Sequence, residues 1–283
     1  MIFIHSPTNP NKNQGFSLLE LLVSMVIGLF LLTGMATSFL SSKKASIDRD
    51  QLSILEDNGR LALEIIGKTV EHAGYTPIIN VKTLPNRIIS NTADIVQGKC
   101  SDDSDTIENT ALFTDTRVTL DDADGDTLAV AYYGDSSLFS DCTGQALAVE
   151  CRVPPIGTTS TIESKASVIY SAFFLSNSSL KCAGSRNKSL QVIADNIENI
   201  QYLYGIRSGN DNTVARYLNA ANMAGLWDRV VSIQVAILVR SASPVKAIAE
   251  QKTYSLLDQK VEARDDKYQR AVFTSTIRLR NTL

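Results

Sequence analysis

A chain of 283 residues is long enough to bury a large core, and its 27 basic and 30 acidic side chains leave a formal net charge of −3, which indicates no nucleic-acid partner. Two histidines leave few groups for acid–base or metal chemistry. The chain has no G-x-S-x-G, H-E-x-x-H or phosphate-binding glycine loop, so the sequence does not indicate an enzyme, and we expect no cofactor.

The first predicted element is an apolar helix. Residues 16–40 carry one charge, Glu20, in a run of about 25 residues, which spans the hydrocarbon core of a bilayer at 1.5 Å per residue. A cleaved secretory signal has a shorter apolar core of about 7–15 residues, and a buried core helix is not apolar on every face. A plain membrane anchor leaves Glu20 unexplained, because a carboxylate in lipid costs a few kcal/mol and needs a partner.

The helical pattern continues beyond this run. Gly74 and Pro77 are typical of a helix end, so we predict one helix from about residue 16 to residue 73. Its second half carries an apolar stripe at helical spacing that is expected to cover a core: Ile47, Ile54, Leu55, Leu61, Ile65, Ile66 and Val70.

After Pro77 the pattern changes to the two-residue period of strands. Strands are predicted within residues 127–134, 166–175, 190–206, 230–240 and 271–280, with a short helix or turn in 218–228. The strands do not alternate with helices, so the predicted class is α+β, with the long helix packed on antiparallel sheets.

An acidic run, Asp121 to Asp126, is the strongest candidate for a metal site. Counted from Asp122, an EF-hand loop would need glycine at its sixth place and glutamate at its twelfth, where the chain has Thr127 and Tyr133. We therefore interpret the run as an acidic loop before a strand, although a calcium site of another type could use the same carboxylates. No metal site is predicted.

Three other features have structural interpretations. His72 is predicted to interact with carbonyls at the helix end, and Trp227 to anchor the core. Four cysteines without a C-x-x-C spacing indicate two disulfides in an oxidising compartment, with three pairings open: Cys100, Cys142, Cys151 and Cys182.

The segment "GFSLLE", preceded by a polar leader with Lys12, resembles the processing signal of type IV pilins and type II secretion pseudopilins. The resemblance implies that a prepilin peptidase cuts between Gly15 and Phe16 and that the new amino terminus is methylated. Glu20 would then lie one helical turn from the cationic amine of Phe16, in the same subunit or in a neighbour. Glu20 is thus the predicted assembly residue.

Residues 55–75, "LEDNGRLALEIIGKTVEHAGY", resemble PilW-type minor pilins, and weaker similarities follow almost to the carboxyl terminus. This implies a leader (1–15), a transmembrane segment (16–40), a soluble half of the helix (41–76) and a periplasmic β-rich domain (77–283). It also implies disulfides Cys142–Cys182 and Cys100–Cys151. No residue between 16 and 40 is proline, whereas major pilins commonly have one there.

The function implied is that of a minor pilin, anchored in the inner membrane by a single span, that primes pilus assembly at the tip and acts in twitching motility and adhesion. Its implied partners are other minor pilins, the major pilin and a tip adhesin. The alternatives are a type II secretion pseudopilin and, less favoured by the residues, a membrane-anchored hydrolase.

Overall fold

The computed structural model describes residues 17–77, 87–95, 118–153, 167–184, 190–209, 211 and 213–281. The chain separates into two units, Met1–Arg49 and Asp50–Leu283, which are described separately here. Gly15, Phe16 and Cys100 lie outside the described residues. The predicted α+β class is confirmed, since one long amino-terminal helix is followed by antiparallel sheets.

Helix α1 spans Leu18–His72 and ends where the sequence predicts. Gly74 has a φ of +75°, and the Tyr75 N–H donates to the carbonyl oxygen of His72 at 2.9 Å. A Cβ atom at Gly74 would lie 3.1 Å from Cβ of Arg87, so a side chain would be both strained and crowded there. Glycine is therefore required by both backbone and packing.

The buried face of α1 differs from the predicted stripe. The helical residues that are buried recur at three- and four-residue spacing: Leu55, Gly59, Ala62, Ile66, Thr69 and Val70. Ile47, Ile54 and Leu61 are instead 47%, 39% and 43% exposed, so the prediction that they cover the core is wrong. The sheet contacts the helix at small residues, which a search for large apolar side chains does not detect.

The first sheet has the order β1-β2-β3-β4 and is antiparallel throughout. Its strands are β1 (Leu128–Tyr133), β2 (Val168–Ser176), β3 (Ser179–Gly184) and β4 (Gln191–Asp195). Asn177 and Ser178, with φ of 56° and 57°, form the two-residue turn between β2 and β3. The segment at Ile88 and Ile89 bonds along the outer edge of β1.

The second sheet has the order β10-β7-β5-β6. Its strands are β5 (Ile197–Arg207), β6 (Val214–Leu218), β7 (Val230–Arg240) and β10 (Arg270–Arg278). The predicted strand over 190–206 is two strands of different sheets, because the chain turns at Asn196, where φ is 61°. The predicted short helix is two 3-10 turns, Ala220–Asn222 and Trp227–Arg229.

A two-stranded hairpin covers part of the second sheet. It consists of β8 (Thr253–Leu256) and β9 (Gln259–Glu262), and Leu256 packs on Ala236 and Leu238 of β7. Strand β7 is therefore buried on both faces for much of its length. The main core lies between the carboxy-terminal half of α1 and both sheets, as predicted.

Candidate functional site

The amino-terminal part of α1 presents apolar side chains on all sides. Large apolar residues from Leu18 to Leu40 are exposed, with fractions between 50% and 78%. By length and composition, α1 is the one helix among the described residues that is able to cross a membrane. Such a surface is unfavourable in water, since burial of apolar area is worth about 25 cal/mol per Å².

The hydroxyl groups within this run are bonded to the helix itself. Ser24 donates to the carbonyl oxygen of Glu20 at 2.7 Å, and Thr33 donates to that of Leu29 at 2.8 Å. Thr37 donates to the carbonyl oxygen of Gly34 at 2.9 Å. Because these donors are satisfied within one turn, the three hydroxyls are compatible with lipid.

Glu20 differs from these hydroxyl groups, which donate hydrogen bonds within their own helix. Its side chain lies exposed in the first turn of α1, where the helix dipole favours an anion. None of the ion pairs in the described part of the chain includes Glu20. Gly15 and Phe16 lie outside the described residues, so the cleavage site and the pairing of Glu20 with the new amine stay predictions.

The acidic run lies before β1, and its last member, Asp126, is buried with 1% exposure. Its Oδ1 accepts the N–H of Asp122 at 2.8 Å and its Oδ2 accepts the N–H of Tyr202 at 2.7 Å. Burial raises the pKa of Asp126 to about 7, although the two N–H donors act to lower it. The negative charges of Asp121 and Asp258 also raise the pKa. The sequence does not predict this role, because Asp126 is one of several acidic residues in the same loop.

The rest of the run is organised by hydrogen bonds to its backbone. The side-chain amide of Asn199 donates to the carbonyl oxygen of Ala123 at 2.8 Å, and that of Gln201 donates to the carbonyl oxygen of Asp122 at 3.0 Å. Within the described ranges, no group of three or more histidine, cysteine or acidic side chains is arranged to hold a metal ion. The structure therefore places a structural loop at this position.

Cys142 and Cys182 form a disulfide with a Cα–Cα distance of 6.2 Å, as the predicted pairing required. It attaches the loop that carries Cys142 to β3, the strand that contains Cys182. Cys151 is fully buried and is itself disulfide-bonded. Its predicted partner, Cys100, lies outside the described residues, so that pairing stays a prediction.

The environment of His72 differs from the prediction, whereas Trp227 packs against the main core as predicted. His72 contacts the Tyr132 ring edge-on at 6.0 Å, and burial lowers its pKa. Carbonyls at the helix end are bonded instead by Asn281, whose side-chain amide donates to Glu71 and Ala73. Trp227, predicted as a core anchor, is partly buried, 5.0 Å from Tyr204 between ring centroids.

Comparison with known families matches both ends of the chain. Residues 10–36 match the prokaryotic N-terminal methylation motif, and residues 164–281 match the family described as type IV pilus-assembly protein W, PilW. The first match covers the segment that contains Gly15, Phe16 and Glu20. The second covers every strand from β2 to β10. The chain is therefore similar to PilW-type minor pilins over its carboxy-terminal part and carries the methylation motif at its amino-terminal end.

A curated protein similar to this chain is prepilin peptidase-dependent protein B of Escherichia coli (strain K12), 38% identical over 66 residues. That match covers 23% of this chain and 35% of the relative's own length. Among solved structures, a type IV-like pilin from Thermus thermophilus is similar with a TM-score of 0.42 and 12% identity, over 81% of this chain and 98% of the other.

Proposed function

We propose that this protein is a minor pilin, a non-enzymatic subunit that primes assembly of a type IV pilus and lies in an initiation complex at the pilus tip. The observation that carries the proposal is the exposed apolar surface of residues 18–40 with a lone carboxylate at Glu20. A surface of this kind is stabilised by lipid or by other apolar helices. The proposed partners are other minor pilins, the major pilin and a tip adhesin.

The proposed location is the inner membrane, with the residues after the span in the periplasm before assembly. The Cys142–Cys182 disulfide supports this location, because such bonds persist in oxidising compartments. The proposed division into leader (1–15), transmembrane segment (16–40), soluble helix half (41–76) and domain (77–283) follows the same interpretation. Processing by a prepilin peptidase would release residues 1–15 and leave Phe16 as the methylated amino terminus.

The first test of this proposal is the mass of the mature amino terminus. Full-length protein purified from membranes of the native host should yield an amino-terminal peptide that begins at Phe16 and carries one methyl group. The same protein from a strain without the prepilin peptidase should retain residues 1–15. A mature terminus at any other position would contradict the assignment of the signal.

The second test concerns Glu20. We expect Glu20→Ala to leave cleavage intact and to reduce the number of pili strongly, because the amine of Phe16 would lose its carboxylate partner. The matched control is Ser24→Ala on the same helix, which removes only a hydroxyl bonded to its own backbone and should leave pilus number unchanged. Normal pilus number and twitching in the Glu20→Ala strain would refute the assembly role. Measuring exoprotein release in a deletion strain would separate it from a type II secretion pseudopilin.

A further inference from the structure

The free edges of the two sheets differ in how well they are protected. The edge strands β4 and β6 are each five residues long, and each pairs with its neighbour through a register shift. The edge strand β1 is covered by the segment at Ile88. Strand β10 is nine residues long and keeps an unbroken register with β7. Long, regular edges are templates for pairing with another strand, and natural proteins normally shorten, bend or cover them.

The register identifies which backbone groups of β10 are free. Leu279, which follows β10, donates its N–H to the carbonyl oxygen of Val231 at 3.0 Å. In an antiparallel pair every second residue bonds to the partner strand, so Phe273, Ser275 and Ile277 also face β7. The N–H and C=O groups of Thr274, Thr276 and Arg278 therefore point away from β7, toward the open edge of the sheet. Within the described part of the chain, no further hydrogen bond reaches these groups.

A groove of about 650 Å³ lies along this edge, between residues 63–71 of α1 and residues 275–280. Gly67 places no side chain in this groove, and a Cβ atom there would contact only Ile277, at 3.9 Å. Neighbouring strands lie about 4.8 Å apart, so the free edge of β10 has room for one extended chain beside the helix.

The charges at the groove favour an acidic occupant. Glu64 is already paired with Lys68 at 2.5 Å, and Glu71 with Arg280 at 2.8 Å. Arg278 is exposed and makes no ion pair within the described residues. The uncompensated charge is therefore positive, and a carboxylate on the incoming strand would complement it.

The direction of β10 argues against a symmetric pair of identical copies. Gly59 lies against Phe273 and Gly67 lies near Ile277, so this part of α1 and β10 run in the same direction. A twofold pairing of β10 edges is antiparallel and would make the two α1 segments run in opposite directions. The proposed assembly packs the helices of neighbouring subunits side by side in one direction, so we do not expect two copies to pair residues 270–278 in this way.

We propose that the free edge of β10 accepts an extended strand, with a carboxylate opposite Arg278, from the soluble domain of a different pilin-type subunit. This inference rests on the proposed function, because it identifies how one partner in the assembly is bound. The added strand would bond the free backbone groups of Thr274, Thr276 and Arg278, while its side chains enter the groove beside Gly67.

The first experiment is photo-crosslinking of the full-length protein in its native cells. A photoreactive phenylalanine analogue at Thr276 should give an adduct whose peptides map to a strand of another protein with a pilin methylation signal. The control position is Ala215, exposed on the β6 edge, which should give no such adduct. An adduct with a second copy, an adduct with an unrelated protein, or no adduct at all would overturn the proposal.

The second experiment uses edge variants in the same cells. For these variants the photoreactive analogue is placed at Thr274, which is exposed on the same edge. Thr276→Pro removes an outward N–H without removing a bond to β7, and we expect it to lower recovery of the crosslinked partner about tenfold or more. Thr276→Val keeps that N–H and should retain recovery, while Arg278→Glu should also reduce it. Equal recovery in Thr276→Pro and Thr276→Val would overturn the proposal, provided that both proteins accumulate with the Cys142–Cys182 bond intact.

A deletion strain separates this proposal from the broader function. If deletion of the gene leaves pili normal, the proposed function fails. If deletion abolishes pili while Thr276→Pro retains both pili and the crosslink yield, only the β10 interface fails.

Discussion

At the scale of single residues, Asp126 connects segments that are far apart in the sequence. Its N–H donates to the carbonyl oxygen of Ile200 at 2.9 Å, and its carboxylate accepts the N–H of Tyr202. It thereby holds the chain entering β1 against β5, across the boundary between the two sheets. Asp121, Asp258 and the buried phenols of Tyr202 and Tyr204 are the titratable groups coupled to it.

We expect Asp126 to make the stability of the protein fall as the pH rises toward neutrality. Burial raises its pKa from 3.8 to about 7, so the folded chain keeps a proton that the unfolded chain releases above about pH 4. The stabilising contribution is complete below about pH 4 and is lost as the pH rises through about 7. The phenols of Tyr202 and Tyr204 remain neutral in this range, because burial raises their pKa values.

The measurement is urea unfolding of the full-length protein in detergent between about pH 5 and pH 8. Asp126→Asn should flatten the decline in the free energy of unfolding. Asp124→Asn, an exposed carboxylate in the same run, should retain the wild-type slope. Equal slopes in the wild type and in Asp126→Asn would show that the group does not titrate in this window.

Glu20 and Asp126 show what residue types reveal without a structure. An acid in a long apolar run is conspicuous, so Glu20 was found from the sequence alone. Asp126 is the last of several acids before a strand, and nothing in its local sequence separates it from Asp124. Its burial depends on the approach of β5, a contact between residues more than seventy positions apart.

At the scale of elements, the close approach of α1 and β10 depends on glycine. A Cβ atom at Gly59 would lie 2.6 Å from two ring carbons of Phe273, whereas one at Gly67 would meet only Ile277 at 3.9 Å. Both residues lie in the same helix, so the intrinsic preference for alanine, about 1 kcal/mol, applies to each. The two positions form a matched pair.

We expect Gly59→Ala to destabilise the protein by about 1–3 kcal/mol, because the helix or the Phe273 ring must move. Gly67→Ala should stabilise it by up to about 1 kcal/mol, because helix propensity improves without a clash. Urea unfolding of the two variants beside the wild type gives both values. A stabilised Gly59→Ala variant would mean that the sheet does not contact the helix at this point.

The same contact explains why the helix boundaries were predicted better than its buried face. Gly74 and Pro77 are local signals, and local signals determine where a helix ends. The buried face is chosen by the sheet that packs on it, and small residues such as Gly59 and Ala62 allow the shortest approach. Strands β3, β6, β8 and β9 were not predicted for a related reason, since these short strands have little apolar alternation.

At the scale of the whole molecule, the disulfide attaches the loop at Cys142 to strand β3. Cys142 and Cys182 are separated by 40 residues, and Cys182 is fully buried in β3. We expect Cys142→Ala with Cys182→Ala to lower the free energy of unfolding by about 4 kcal/mol, since the unfolded chain gains the freedom of that loop. Thermal unfolding in detergent, measured without reductant, provides the comparison.

Alanine is preferable to serine in this experiment, because a hydroxyl at position 182 would be buried. If the double variant unfolds at the wild-type temperature, the disulfide does not contribute to global stability. Maturation of the amino terminus should be unaffected in either case, which provides a check that the variant reaches the membrane.

The class of the fold was predictable because the pattern of apolar residues changes from the period of a helix to the period of strands after Pro77. The assignment of strands to two sheets was not, because it depends on the single turn at Asn196. The processing signal was recognised from a contiguous motif. The β10 edge was not recognised, since an unpaired edge is a property of the sheet order and not of any segment.

The bonded hydroxyls of Ser24, Thr33 and Thr37 have a consequence for selectivity in the membrane. With the hydroxyls of Ser24, Thr33 and Thr37 bonded to their own helix, the apolar run offers neighbouring helices a mainly hydrocarbon surface with one charged side chain, Glu20. In the proposed assembly, such a helix gives little basis for distinguishing one neighbouring subunit from another. We therefore expect the selection of subunits to depend on residues outside the lipid.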